Sequence, residues 1–361
     1  MNFEMNNVRK DADIYNGKLR KNSPVVEIFS DMINGKDLSR FGKKADVAVG
    51  YIKDLGARAD NGDFNAVAEL NTLRRFVVEA PVMEQIKALS IFGSYSNVGF
   101  DESIEREVYA HSGEHARIQA ETGDVPFPTI VKETYPVAPI TISGGYAVDY
   151  RRVAVGDMSK ENEGMEQVKT SIYNQAVKYV VDKVHESIKN ASGIKYDLEM
   201  AGLTKTAVDG ILAKIRRWGK PTVLADYALL SEFIPWAGYS ATINSNTVFG
   251  ISDDIINELA QNGSLSAYNG AILSEIVNPY DIYSVNEDGD NFETLLPVGV
   301  GFIVPAGAKS PIATWTKGGL TSFTGNDVKS GKVLSRFDLS VAADVAKGQE
   351  YKIGVICDTN L

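Results

Sequence analysis

Apolar residues fall at every third or fourth position from Met165 to Ile188, and this stripe is the strongest pattern in the chain. Met165, Val168, Ile172, Ala176, Val180, Val184 and Ile188 share one face of a predicted helix over 159–191. Lys169, Asn174, Lys178, Asp182, Lys183 and Glu186 lie largely off that face. At 1.5 Å per residue the helix runs about 45 Å, the width of a domain, and can act as a spine. Upstream, Ser23-Pro24 reads as an N-cap followed by a first-turn proline, with Val25, Ile28, Phe29 and Met32 on one face and Gly35 as the stop. A second helix is predicted over 63–80, with Val67, Leu70, Leu73 and Val77 as its stripe and Pro81 at its end. Neither is long enough to stand alone in water, so each must dock on something larger.

From residue 101 the period changes. The stretch to 155 is rich in β-branched and aromatic residues and carries Pro126, Pro128, Pro136 and Pro139. Prolines cannot donate to a ladder and are tolerated at sheet edges, and Tyr135, Val137, Ile140 and Ile142 mark strands with one free face. The pattern predicts a long, weakly self-supported β-hairpin that leaves the body and returns at about 147–155. After the spine comes a mixed α/β segment over about 205–305. It contains a helix over 207–218, a strand over 221–225, a helix capped by Asp226, and another starting at Ser252 with Asp253-Asp254 in its first turn. Strands then dominate to the C-terminus, with a hairpin turn at 287–291.

Composition narrows the class. Of the 361 residues 44% are hydrophobic and 23% charged, which is ordinary for a globular protein and too mixed for a membrane helix or a disordered chain. The polar N-terminus lacks a signal-peptide core, and one cysteine, Cys357, rules out an internal disulfide and fits a reducing compartment. The net charge of −10 argues against a general nucleic-acid binder. The charge is uneven: residues 1–60 hold 11 basic against 9 acidic residues, so the remainder carries a net −12. Such a basic arm suits contact with acidic protein or nucleic acid, and is equally an ordinary solvated segment.

Candidate chemistry is sparse. His111, Glu114 and His115 satisfy H-x-x-E-H, the inverted zinc-protease pattern, but that chemistry needs both histidines on one helical face and a third ligand. Here Gly113 interrupts a predicted hairpin, and the only other histidine is His185 in the spine. Cys357 lies in an apolar strand and reads as packing. Gly299-Val300-Gly301 lacks the third glycine and the following helix of a dinucleotide site. No catalytic, cofactor-binding or metal residues are assigned and no cofactor is expected.

The stretch from Ala120 to Val184, AETGDVPFPTIVKETYPVAPITISGGYAVDYRRVAVGDMSKENEGMEQVKTSIYNQAVKYVVDKV, resembles the extended loop, connecting strand and spine helix of tailed-bacteriophage major capsid proteins. PTVLADYALLSEFIP and the segment from Ala271 to Trp315 are similar to the apical domain and its return to the peripheral domain. The likeness covers about residues 80–361 and rests on element order and local texture. Encapsulins share the fold and are the main alternative, with a zinc hydrolase built on His111, Glu114 and His115 behind them. The resemblance implies an α+β tailed-phage capsid fold with an N-terminal arm over 1–99 and an extended β-hairpin loop over 100–154. A peripheral domain over 155–202 and 309–361 would carry the spine helix, and 203–308 would form an apical α/β domain. It implies a structural, non-enzymatic protein that assembles with itself into hexamers and pentamers of an icosahedral head around double-stranded DNA. Scaffold, portal and decoration proteins are the further implied partners. DNA contacts would be weak and non-specific, with no membrane partner, in a virion made in the bacterial cytoplasm. Residues 1–60 lack the heptads of a built-in scaffold, and with Met1 present the subunit is expected to be uncut, by a route without cleavage or with a separate scaffold. Some relatives join subunits through a lysine–asparagine isopeptide bond; Lys132, beside Glu133, and Asn326 supply the residue types, though Lys132-Glu133 reads more simply as a solvated pair.

Overall fold

The computed structural model describes residues 24–34, 36–112, 118, 127–148, 150–156, 159–237, 239–243, 246–250, 264–286, 289–306, 310–327 and 332–361. Three arm helices come first: α1 (Pro24–Ile33), α2 (Lys43–Asp60) and α3 (Phe64–Lys87). The first and third match the predicted stripes, whereas α2 carries a longer buried face (Ala45, Ala48, Tyr51, Ile52, Leu55, Ala59) than the short helices expected there. Pro81 does not end α3. Val78, Val82 and Ile86 continue the buried stripe through it, and burying about 1.5–3 kcal/mol per large side chain offsets the roughly 3 kcal/mol cost of an interior proline.

Strand β1 (Ser94–Val98) leads to the hairpin strands β2 (Glu105–Ser112) and β3 (Thr129–Pro136), which pair with each other alone. The chain re-enters the body earlier than expected. β4 (Ile140–Val148) is already paired along its whole length with β15 (Lys332–Val345), and α4 (Tyr150–Val155) then lies on α2. Gly56 allows that approach, since a Cβ there would meet Ala154 N at 2.7 Å.

The spine α5 (Ser159–Lys189) forms as predicted, and all seven stripe residues are buried. One side packs on the four-stranded sheet β1-β14-β15-β4, in which β14 is Ile312–Asp327. Contact is closest where side chains are smallest: a Cβ on Gly144 would sit 3.3 Å from Ile172 Cγ1, and one on Gly164 2.7 Å from the Tyr146 ring. Tyr146 stacks on Phe337 at 6.0 Å. Helix α3 packs on both α5 and β14, so arm, spine and sheet share one core.

After β5 (Tyr196–Met200) come α6 (Lys205–Ile215), β6 (Lys220–Ala225), α7 (Tyr227–Ser231), α8 (Ile234–Ala237), the small ribbon β7 (Tyr239–Ile243) with β8 (Asn246–Gly250), β9 (Ala267–Tyr268) and β10 (Ala271–Glu275). Asp226 caps α7 as predicted, accepting from Ala228 N–H at 2.8 Å. The predicted helix at Ser252, with Asp253-Asp254, falls outside the described residues. A second ribbon pairs β11 (Tyr280–Val285) with β12 (Phe292–Thr294) across the expected turn. β13 (Val300–Ala306) and β16 (Gly354–Asp358) complete a six-stranded mixed sheet ordered β5-β16-β13-β6-β10-β9.

Strand pairing carries two segments across the boundaries expected from the resemblance. β5 and β16, assigned to the peripheral domain, join the sheet of the α/β segment, because Val355 and Ile356 in β16 bury against its neighbours. Likewise β1, assigned to the arm, pairs in parallel with β14. The seam is tied by Asp358, whose buried carboxylate accepts from the N–H groups of Gly202 (2.9 Å), Leu203 (2.8 Å) and Asn360 (2.8 Å). Burial pushes its pKa up, but these three donors outweigh it and hold the carboxylate below its ordinary value.

Candidate functional site

The hairpin β2–β3 combines a tightly held root with a bare blade. At the root Arg106 and Tyr135 are cross-strand partners, and each reaches into the body. Arg106 Nη2 donates to Pro311 O at 3.0 Å, and its guanidinium lies 5.8 Å from the Trp315 ring. The Tyr135 hydroxyl donates to Asp344 Oδ2 at 2.7 Å and accepts from Lys347 N–H at 3.2 Å. Burial, helped by the Asp344 bond, pushes the phenol up to about 12. Burial also raises the Asp344 carboxyl, against the pull of Tyr135 and Arg106. Beneath them Ile104 packs with Ala313, Trp315 and Ala342.

Beyond the root the blade is exposed on both faces. The pairing Tyr109↔Lys132 puts these two on one face, which Ile130 shares two residues along β3, with Tyr109 48% and Ile130 55% exposed. Val131, about half exposed, points the other way, and Phe127 beside β3 is 86% exposed. An isolated two-stranded ribbon is marginal in water, and apolar residues on both its faces mark a surface suited to burial against other chains. Between β2 and the body opens a groove of about 1280 Å³, walled by residues 106–109 and 346–349 among others. Its charged groups, Arg106, Glu107, Glu133, Lys347 and Lys352, are spread along the walls.

The chemical candidates resolve as packing or as surface. His111 lies on β2, an extended strand and not the helix a zinc-protease pair needs; Glu114 and His115 lie outside the described residues. His185 packs edge-on to Phe302 at 6.5 Å. Among the described residues no group of three His, Cys, Asp or Glu side chains could hold a metal. Cys357 is half-buried against the main core, and burial first, then Glu199, Asp197 and Asp358, raises its thiol pKa, the wrong direction for a nucleophile. Gly301 serves close packing: a Cβ would meet Leu229 Cδ2 at 2.8 Å and Ala225 Cβ at 3.0 Å. Lys132 Nζ bonds Glu107 Oε1 at 2.5 Å on the exposed blade, and that bond raises its pKa. Isopeptide chemistry needs a neutral lysine in a dry pocket, so this subunit holds Lys132 in the opposite state. Glu107, and not the flanking Glu133, is its partner, because Glu107 lies diagonally across the ladder. Asn326 is on β14. Sequence reading missed the clamp itself. Its partners lie roughly two hundred residues apart, and only an arginine and a tyrosine in otherwise exposed strands hint at it.

Among the described residues no helix is long and apolar enough to cross a membrane. Residues 4–357 match the family described as "SPbeta prophage-derived putative capsid protein YonB". None of the curated proteins matches the chain. Similar solved structures include one from Mycobacterium phage Adephagia (12% identity, TM-score 0.48, covering 78% of this chain and 90% of that one). The mature capsid of bacteriophage PhiM1 is another (9%, 0.46, 74% and 86%), as is the virus-like particle from Pyrococcus furiosus (9%, 0.45, 77% and 97%).

Proposed function

The chain belongs to the family of the prophage-derived capsid protein YonB, and from that membership we propose that it builds the closed icosahedral head of a tailed phage around double-stranded DNA. It is a structural shell subunit, not an enzyme, and its partners are first of all other copies of itself. The family match over residues 4–357 carries this reading. The clamped root and bare blade of the hairpin support it, since they deliver an apolar surface away from the subunit's own core.

In this reading hexamers and pentamers are the building units. The arm (1–99), extended loop (100–154), peripheral domain (155–202 and 309–361) and apical domain (203–308) divide the work, with β5 and β16 as the strands joining the last two. Scaffold, portal and decoration proteins are further partners, and packaged DNA meets the acidic shell only through weak, non-specific contacts. The virion is its final location and the bacterial cytoplasm its place of synthesis.

Negative-stain microscopy and light scattering of the purified protein test the proposal. Closed shells or capsomers forming without added metal are expected. A stable monomer at micromolar concentration under every salt condition would sink it. Particles from infected or induced cells that carry protein cargo and no DNA would move the reading to an encapsulin-like compartment.

A further inference from the structure

The β11–β12 ribbon carries an apolar face that its own subunit leaves open. Tyr280 pairs with Thr294 and Val285 with Phe292, so Tyr280, Ile282, Val285 and Phe292 share one side, with Tyr280 56% and Ile282 62% exposed. The opposite side holds Asp281 and Glu293, the latter accepting from Ser284 Oγ. From 276 to 307 the sequence has five acidic residues (Asp281, Glu287, Asp288, Asp290, Glu293) and no lysine or arginine. The ribbon is therefore both greasy and acidic.

Its complement lies at the far end of the neighbouring six-stranded sheet. Within 214–220 stand Lys214, Arg216, Arg217 and Lys220, with no carboxylate among them. None of the four forms an ion pair among the described residues. Trp218, half exposed in their midst, leans on Tyr351 at 5.0 Å, and Lys352 Nζ lies 5.8 Å from its ring.

Topology keeps the two patches apart within one subunit. β6 and β10 run parallel, Trp218 precedes the start of β6, and the ribbon follows the end of β10. The patches thus sit at opposite ends of the strands, about 20 Å apart at 3.3 Å per residue. Complementary patches at opposite ends of a molecule make a head-to-tail contact, which closes into a ring when the rotation allows.

We propose that the β11–β12 ribbon of one subunit seats on the Trp218 corner of the next, its apolar face on Trp218 and the acidic turn at its tip, which carries Asp290, against Arg216, Arg217 and Lys220. The contact rests on the shell reading and specifies which surfaces neighbouring copies join. A second copy is favoured over nucleic acid because this chain carries both halves of the contact, whereas nucleic acid on the basic corner would leave the acidic, apolar ribbon uncovered.

Charge reversal tests it. Arg216→Glu with Arg217→Glu, or Asp288→Lys with Asp290→Lys in the turn, should each raise the protein concentration needed for assembly by about tenfold or more, while circular dichroism stays unchanged. A chain carrying all four substitutions should recover most of that loss. Wild-type shells with reversals that leave assembly untouched, or a fourfold variant as impaired as either pair, overturn the contact and leave the shell reading standing. Corner reversals that lower only the nucleic-acid content of intact shells assign the corner to nucleic acid and also overturn it. Wild-type protein that never assembles overturns both.

Discussion

The spine helix and the β2–β3 hairpin are built from the same kinds of residue, valine, isoleucine and tyrosine, and put them to opposite use. Val180, Val184 and Ile188 lie fully buried between sheet and arm. Tyr109, Ile130 and Val131 lie open to solvent on a ribbon that, among the described residues, no further strand joins. A helix stripe with sheet on one side and helices on the other completes its burial on folding. A two-stranded ribbon has no second layer, so its apolar surface is available for burial on assembly. Buried apolar surface is therefore concentrated in the spine, and exposed apolar surface in the blade.

The largest effect should come from the spine. Val180→Asp places an unpaired charge at a fully buried position and should cost about 4 kcal/mol or more, giving insoluble or unassembled protein in an expression and sedimentation assay. Soluble, normally assembling Val180→Asp would break the comparison at its stronger end.

The seam where β5 and β16 join the α/β segment should come next. Asp358→Ala strands the N–H groups of Gly202, Leu203 and Asn360 and should cost about 3 kcal/mol in denaturant unfolding at neutral pH. The Asp358 pKa is held below the ordinary 3.8, so its stabilisation is complete above that value and is lost as the pH falls below it. The stability gap between wild type and Asp358→Ala should accordingly narrow on acidification below pH 3.8; a gap that widens contradicts the assignment.

A smaller loss is expected at the root clamp. Tyr135→Phe removes the donor to half-buried Asp344 and should cost about 1–2 kcal/mol. Hydrogen exchange should rise at the hairpin root and stay unchanged in the spine. The smallest effect on the subunit sharpens the comparison most. Ile130→Asp should change subunit stability by no more than about 0.5 kcal/mol, because the position is already exposed, and yet should block assembly. Destabilised subunits, or shells that form normally, would show that the blade is not reserved for assembly.

Much of this architecture is legible in the chain. Period alone places the spine, since seven stripe residues at helical spacing leave no other element that buries them together. Alternation and proline placement likewise reveal the hairpin, and Asp226 before an apolar run marks its cap. Local rules failed where distant packing outweighed them. Pro81 reads as a stop, yet the core continues past it. Ile140 and Ile142 read as strand in a hairpin still outside the body until about 147–155, yet β15 offers them a ladder in the body's own sheet.

By itself, then, the sequence determined the elements, because helix and strand periods are properties of neighbouring residues. It also determined the lack of a convergent catalytic cluster and the opposite charges of 214–220 and 276–307, which are plain counts. Only the tertiary structure decided which strands share a sheet, since β16 pairs with β5 from Tyr196 onward and with β13 from Val300 onward, partners far from it and from each other in the chain. It alone set Arg106 and Tyr135 as a clamp and placed the acidic ribbon and the basic corner beyond opposite ends of the parallel strands β6 and β10. Pairing over such separations depends on shape and burial summed over the whole core, and no local window of sequence contains that sum.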